Sequence, residues 1–66
     1  MDDISKLHHL LEHWAEHNTE HSRTYLDWSK KAEVLGKSEL AGILREIADE
    51  TTKLDGLFKK AGKLCQ

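Results

Sequence analysis

The chain has no proline and only one cysteine, Cys65. Without proline, no ring interrupts a helical run. One cysteine excludes an intrachain disulfide framework and is compatible with a reducing compartment. No apolar run approaches the roughly 18 residues of a membrane-spanning helix. The formal charge of −2, with 33% charged residues, leaves no basic footprint for nucleic acid. The start, Met1-Asp2-Asp3, is acidic and lacks the features of a signal peptide. A cytoplasmic location, no membrane and no nucleic acid are therefore expected. At 66 residues the chain is a single small domain. A domain this small is marginal without a disulfide, a metal or a partner chain; with no disulfide framework available, metal or self-association remains.

What is abundant is Leu, Lys, Glu and Ala, with few β-branched residues. That composition favours an all-α chain. Ile4, Leu7, Leu11, Trp14, Asn18, His21, Tyr25, Trp28, Ala32 and Leu35 follow one another in alternating steps of three and four. The pattern predicts one continuous helix over about 3–35, capped by Asp2 or Asp3 and ended by Gly36. Asn18-Thr19 is a possible break, but the pattern keeps its phase across it. A second series runs Leu40, Leu44, Ile47, Thr51, Leu54, Phe58, Ala61 and Cys65. It predicts a helix over about 38–64, with Ser38 as N-cap and Asp55-Gly56 as the point most prone to kink.

The short Gly36-Lys37-Ser38 connection makes the two helices antiparallel neighbours. Residues whose numbers sum to about 73 then pair, as expected of a helical hairpin. Trp28 would meet Leu44, Trp14 would meet Phe58, and Leu11 would meet Ala61. Midway, His21 would face Thr51, and Asn18 would face Leu54 and Asp55, giving a polar core layer of Asn18, His21 and Thr51. Further apolar residues (Leu10, Leu26, Val34, Ile43, Leu57, Leu64) lie off the seams. One neighbouring helix cannot cover so wide a stripe, so a homodimer closing into a four-helix bundle is expected.

All five histidines fall in one stretch: His8, His9, His13, His17 and His21. Four recur at every fourth residue, which stacks the imidazoles up one helix. Imidazole is the commonest transition-metal ligand. The row drifts about 40° per step on a helix of 3.6 residues per turn, so one ion takes adjacent pairs. His17/His21 has the best setting, with His13 and Asp55 as further candidate ligands and His9/His13 as a second pair. Two imidazoles and a carboxylate suit Zn²⁺ or Ni²⁺. The competing reading makes His21 a core residue that fixes helix register. If His21 is buried and neutral, its folded pKa falls below about 6.5, and stability drops as pH falls below that value.

His13-Trp14-Ala15-Glu16-His17 matches the H-x-x-E-H pattern of inverted zinc peptidases. A two-helix hairpin supplies neither their third ligand nor their cleft, so no enzyme is expected. The Glu-x-x-His order of di-iron bundles is absent; Glu12, Glu16 and Glu20 instead follow His9, His13 and His17 by three. Trp14, Tyr25 and Trp28 are expected in the core. Cys65 is expected opposite Leu7 and His8, as a small apolar residue, a thiolate ligand or a half of an intermolecular disulfide.

The string Leu10-Leu11-Glu12-His13-Trp14-Ala15-Glu16-His17-Asn18-x-x-His21-x-x-x-Tyr25-x-x-Trp28 resembles an uncharacterised small helical domain of bacteria and archaea with an L-x-H-W-x-E-H-N-x-x-H core. The resemblance spans roughly residues 4–60. In some proteins that domain stands beside a small β-domain of the nickel-binding CooT type. It implies a shared role for His13, His17, Asn18 and His21, and tilts the metal toward nickel. The function expected is divalent-metal binding for storage, delivery or sensing, with a metalloprotein or metal-transport partner. The alternative is a structural or protein-interaction module whose histidines respond to pH.

Overall fold

The computed structural model describes residues 2–65. Two helices, α1 (Asp3–Val34) and α2 (Ser38–Leu64), pack along their length as an antiparallel hairpin 53 Å long, 15 Å wide and 10 Å thick. α1 passes through Asn18-Thr19 unbroken, and α2 passes through Asp55-Gly56 unbroken. The Thr19 hydroxyl bonds back to the Ala15 carbonyl at 3.1 Å, which accommodates a turn-prone residue inside the helix.

Asp2 caps α1: its Oδ1 accepts the Ser5 backbone N–H at 2.7 Å. That bond holds the Asp2 carboxyl below its ordinary value. At the other end, the N–H of Lys37 bonds the Ala32 carbonyl and the N–H of Gly36 bonds the Glu33 carbonyl. This is the Schellman arrangement, and Gly36 takes the left-handed conformation it requires, with φ of 79°. The expected cap at Ser38 is not formed. Lys37 is the N-cap, without a side-chain bond, and Ser38 is the first helical residue. The Schellman turn consumes Lys37, whose carbonyl at once accepts the Ala41 N–H, so no residue is left over for a separate cap.

The helices meet on a face one residue away from the expected one. With position a of the heptad at Leu11, Asn18, Tyr25 and Ala32, the seam of α1 uses a and e: His8, Ala15, Ser22 and Ser29 at e, in place of Leu7, Trp14, His21 and Trp28 at d. On α2 the seam keeps Leu44, Thr51, Phe58 and Cys65 at a, but takes Ala41, Ala48, Asp55 and Gly62 at e. The buried residues are Ser29, Ala32, Ala41 and Ala48, all small. Small residues let two helix backbones approach closely, whereas tryptophans at the contact would hold them apart. The close approach lets Ser22 Oγ donate to the Ala48 carbonyl at 3.1 Å and lie 2.6 Å from the Thr52 hydroxyl.

Candidate functional site: an apolar face interrupted by histidines

Rotating the seam by one residue turns the large side chains outward onto one side of the hairpin. Two contacts fix which side is which. Ser22 reaches Thr52, and Arg45 lies 3.9 Å from Glu33, so the b positions of both helices share one side, which is polar. The d and g positions share the other. The large apolar residues there are Leu7, Leu10, Trp14 and Trp28 on α1, Leu35 at its C-cap, and Leu40, Ile43, Ile47, Leu54, Leu57 and Leu64 on α2. All are substantially exposed, Trp28 at 54% and Leu57 at 60%. Among the described residues, Ile4, Leu26 and Val34 are the other large apolar side chains this exposed. Trp14 and Trp28 therefore belong to this face and not to the helix–helix core. Lys31 lies with its ammonium 4.3 Å from the Trp28 ring centre, a cation–π contact at the edge of the face.

The apolar run has one gap, at mid-length. There α1 presents His17, His21 and Thr24, and α2 presents Glu50. The imidazoles form a ladder. His13 and His17 have ring centroids 4.6 Å apart, His17 and His21 6.5 Å, and His21 stacks on Tyr25 at 6.1 Å with planes 16° apart. The ladder winds from the outer side of α1 at His13, across the apolar face at His17 and His21, to the seam at Tyr25. His9 is on the polar side, and His13, His17 and His21 are all exposed. His8, half-buried, has its Nδ1 3.4 Å from the Glu12 carboxylate. Cys65 is a free, half-buried thiol.

The polar core layer consists of Asn18, Thr51 and Asp55, with His21 outside it. Asn18 Nδ2 donates to the Thr51 carbonyl at 2.7 Å and to Asp55 Oδ1 at 3.0 Å. Asp55 is thus engaged in the seam with Asn18 and is not gathered with His17 and His21. Among the described residues, no three His, Cys, Asp or Glu side chains converge to hold an ion. One chain brings together two imidazoles of the proposed set but not a third ligand. The exposure of His21 also removes, in one chain, the burial on which the expected pH response depended.

Glu50 escaped sequence reasoning, although it is the only charged residue at a d or g position of α2. Bonds from Ser22 to Ala48 and Thr52 bracket it, so it stands level with the histidine ladder on the same face. Its carboxylate accepts a bond from Lys53 Nζ at 3.0 Å, and that bond, with the carboxylate charge, holds the Lys53 ammonium above its ordinary value. Among the described residues no helix is long and apolar enough to cross a membrane.

No solved structure matches the chain. It is similar to an uncharacterized protein of Archaeoglobus fulgidus, 36% identical over 58 residues that make up 88% of this chain and 92% of that protein. Residues 7–65, from the first leucine of the apolar face to the C-cap of α2, match the domain of unknown function DUF8180. The helical hairpin with its histidine ladder accordingly belongs to the DUF8180 family.

Proposed function

We propose that this chain is a self-associating helical module, in which two hairpins close their apolar faces on each other to make a four-helix bundle. The observation that carries the reading is the distribution of apolar side chains. The fully buried residues of one hairpin are all small, and Leu11, Tyr25, Leu44 and Phe58 are only half-buried in its seam, while tryptophans, leucines and isoleucines line one outer face. Burial of apolar surface is the main favourable term in folding. A chain whose largest apolar residues stay wet when alone is stable only when that face is covered. A second copy fits the face. The polar gap lies near mid-length, so a twofold axis in the plane of the face lays gap on gap and apolar half on apolar half. The size is also right: a face of 53 by 15 Å is close to the roughly 800 Å² per partner of a standard interface. Sedimentation equilibrium tests the reading. The dimer is expected at micromolar concentration, with Leu57→Glu shifting it to monomer; a wild-type monomer at all concentrations would refute it.

The histidine ladder supports a second role for the same module, the binding of a divalent transition metal such as Zn²⁺ or Ni²⁺ for storage, delivery or sensing. A run of neighbouring imidazoles one turn apart on one helix is the observation in its favour. The resemblance to domains that stand beside a nickel-binding β-domain adds weight to nickel and to a metalloprotein or metal-transport partner. Isothermal titration of the metal-free protein with Zn²⁺ and Ni²⁺ tests this role. Saturable binding supports it, and no heat up to about millimolar metal counts against it.

A further inference from the structure

We infer that two copies of this chain build one site for a single divalent transition-metal ion, from His17 and His21 of each copy, on the twofold axis between their apolar faces. The inference rests on the self-association argued above and gives that interface a chemistry.

Each chain carries half a site. His17 and His21 are one helical turn apart, the spacing at which two imidazoles of one helix share an ion. They lie in the one stretch of the face where no large apolar side chain stands on α1, between Trp14 and Trp28. Yet among the described residues no third ligand joins them in one chain. A twofold axis completes any half-site through which it passes. With α1 of one copy laid antiparallel on α1 of the other, His17 of the first falls opposite His21 of the second. Leu10 then falls opposite Trp28, while Trp14 falls opposite Thr24 and Leu7 opposite Lys31, with Trp28 and Leu35 one turn away. Four imidazole nitrogens are a closed tetrahedral set for Zn²⁺ or Co²⁺.

The alternative to an ion at this place is unfavourable. Closing the apolar faces would strip water from four imidazoles and leave ring nitrogens without partners. An ion satisfies one nitrogen on each ring at once. The second ring nitrogen of a metal-bound histidine needs an acceptor. Thr24 and the Glu50 carboxylate stand on the same face beside the gap to serve, and Glu50 also offsets part of the ion's charge. His13 and His9 lie outside this arrangement, because the drift of the ladder carries them off the face.

The test uses the full chain, freed of metal and titrated with Co²⁺ and then Zn²⁺, with the mass followed by sedimentation. Expected are one ion per two chains, the intense visible absorption of tetrahedral Co²⁺, and its bleaching by Zn²⁺. His17→Ala and His21→Ala should each weaken Co²⁺ binding by more than about 100-fold, beyond what loss of an outer-shell partner causes. His9→Ala and His13→Ala should leave it within about threefold. All four positions are exposed in the single chain, so circular dichroism should show every variant still helical. One ion per chain, lost in His13→Ala, would overturn the shared site while leaving the dimer intact. A dimer that takes up no Co²⁺ at about millimolar concentration would overturn it as well. A protein that is monomeric throughout would instead refute the self-association reading beneath it.

Discussion

The Asn18 side chain bridges the two helices at mid-length, donating both to the Thr51 carbonyl at 2.7 Å and to the Asp55 carboxylate at 3.0 Å. Among the described residues it is the one place in the seam where a side-chain amide reaches across to main chain. Because a backbone carbonyl has a fixed position along α2, the bond sets the register of the hairpin as well as contributing to its stability.

Asn18→Ala should therefore destabilise the protein. It leaves the half-buried Asp55 carboxylate without its donor, at a cost of about 1–3 kcal/mol. For a domain of this size that corresponds to a melting point lower by roughly 4–8 °C per kcal/mol. Asn18→Asp should be worse, since it sets a second carboxylate against Asp55. Thermal melts by circular dichroism check both.

The small-residue seam predicts an asymmetry between its two sides. Ala48→Leu and Ala41→Leu insert bulk where the helices touch and should cost about 1–3 kcal/mol each. Leu57→Ser, on the outer face, should lower stability through the dimer instead. Its melting point should not vary with protein concentration, whereas that of the proposed wild-type dimer should, as mass action requires.

Two kinds of glycine should respond in opposite directions. Gly36 has a φ of 79°, so Gly36→Ala forces a left-handed conformation on an L-residue, costing about 1–2 kcal/mol although the space around it is open. Gly42 and Gly56 are helical and a Cβ there meets open space. Gly42→Ala and Gly56→Ala should each stabilise by about 0.5–1 kcal/mol. Chemical denaturation of the three variants separates the cases.

The Asp2 cap should make the first turn of α1 sensitive to acid. Its folded pKa lies below the unfolded value of 3.8, so the cap stabilises fully above that value and is lost as pH falls through the folded pKa. The Ser5 amide shift should report this titration. Asp2→Asn keeps a side-chain acceptor for the same N–H and should abolish it. At the alkaline end, Lys53 behaves in the opposite sense. Its pKa is raised, so its pairing with Glu50 stabilises below 10.5 and is lost as pH rises through the folded pKa.

Much of the hairpin was legible from residues alone. The three–four alternation through Asn18 identified α1 as unbroken, and Gly36 marked its end. The pairing near residue sums of 73 agrees with the bond from Asn18 to Asp55. The rotation of each helix about its axis was not legible. Seams a/d and a/e differ by one residue, about 50° around the helix. Hydrophobicity favours the seam that holds the largest side chains, which here are Trp14, Trp28, Ile47 and Leu54. The structure chooses the other because Ala15, Ser22, Ala41 and Ala48 allow closer contact, and Ser22 and Asn18 find carbonyl partners there. The same rotation moved His21 out of the core, left Asp55 with Asn18 and brought Glu50 into view.

Periodicity, helix-forming composition and end signals determine on their own that this chain makes two long helices joined by a tight glycine turn, because those are local properties of neighbouring residues. Only the tertiary structure decides which stripe of each helix meets the other, because that choice depends on how closely two backbones can approach across residues distant in sequence. It follows that the histidine ladder crosses an outward apolar face, a placement that no local pattern encodes.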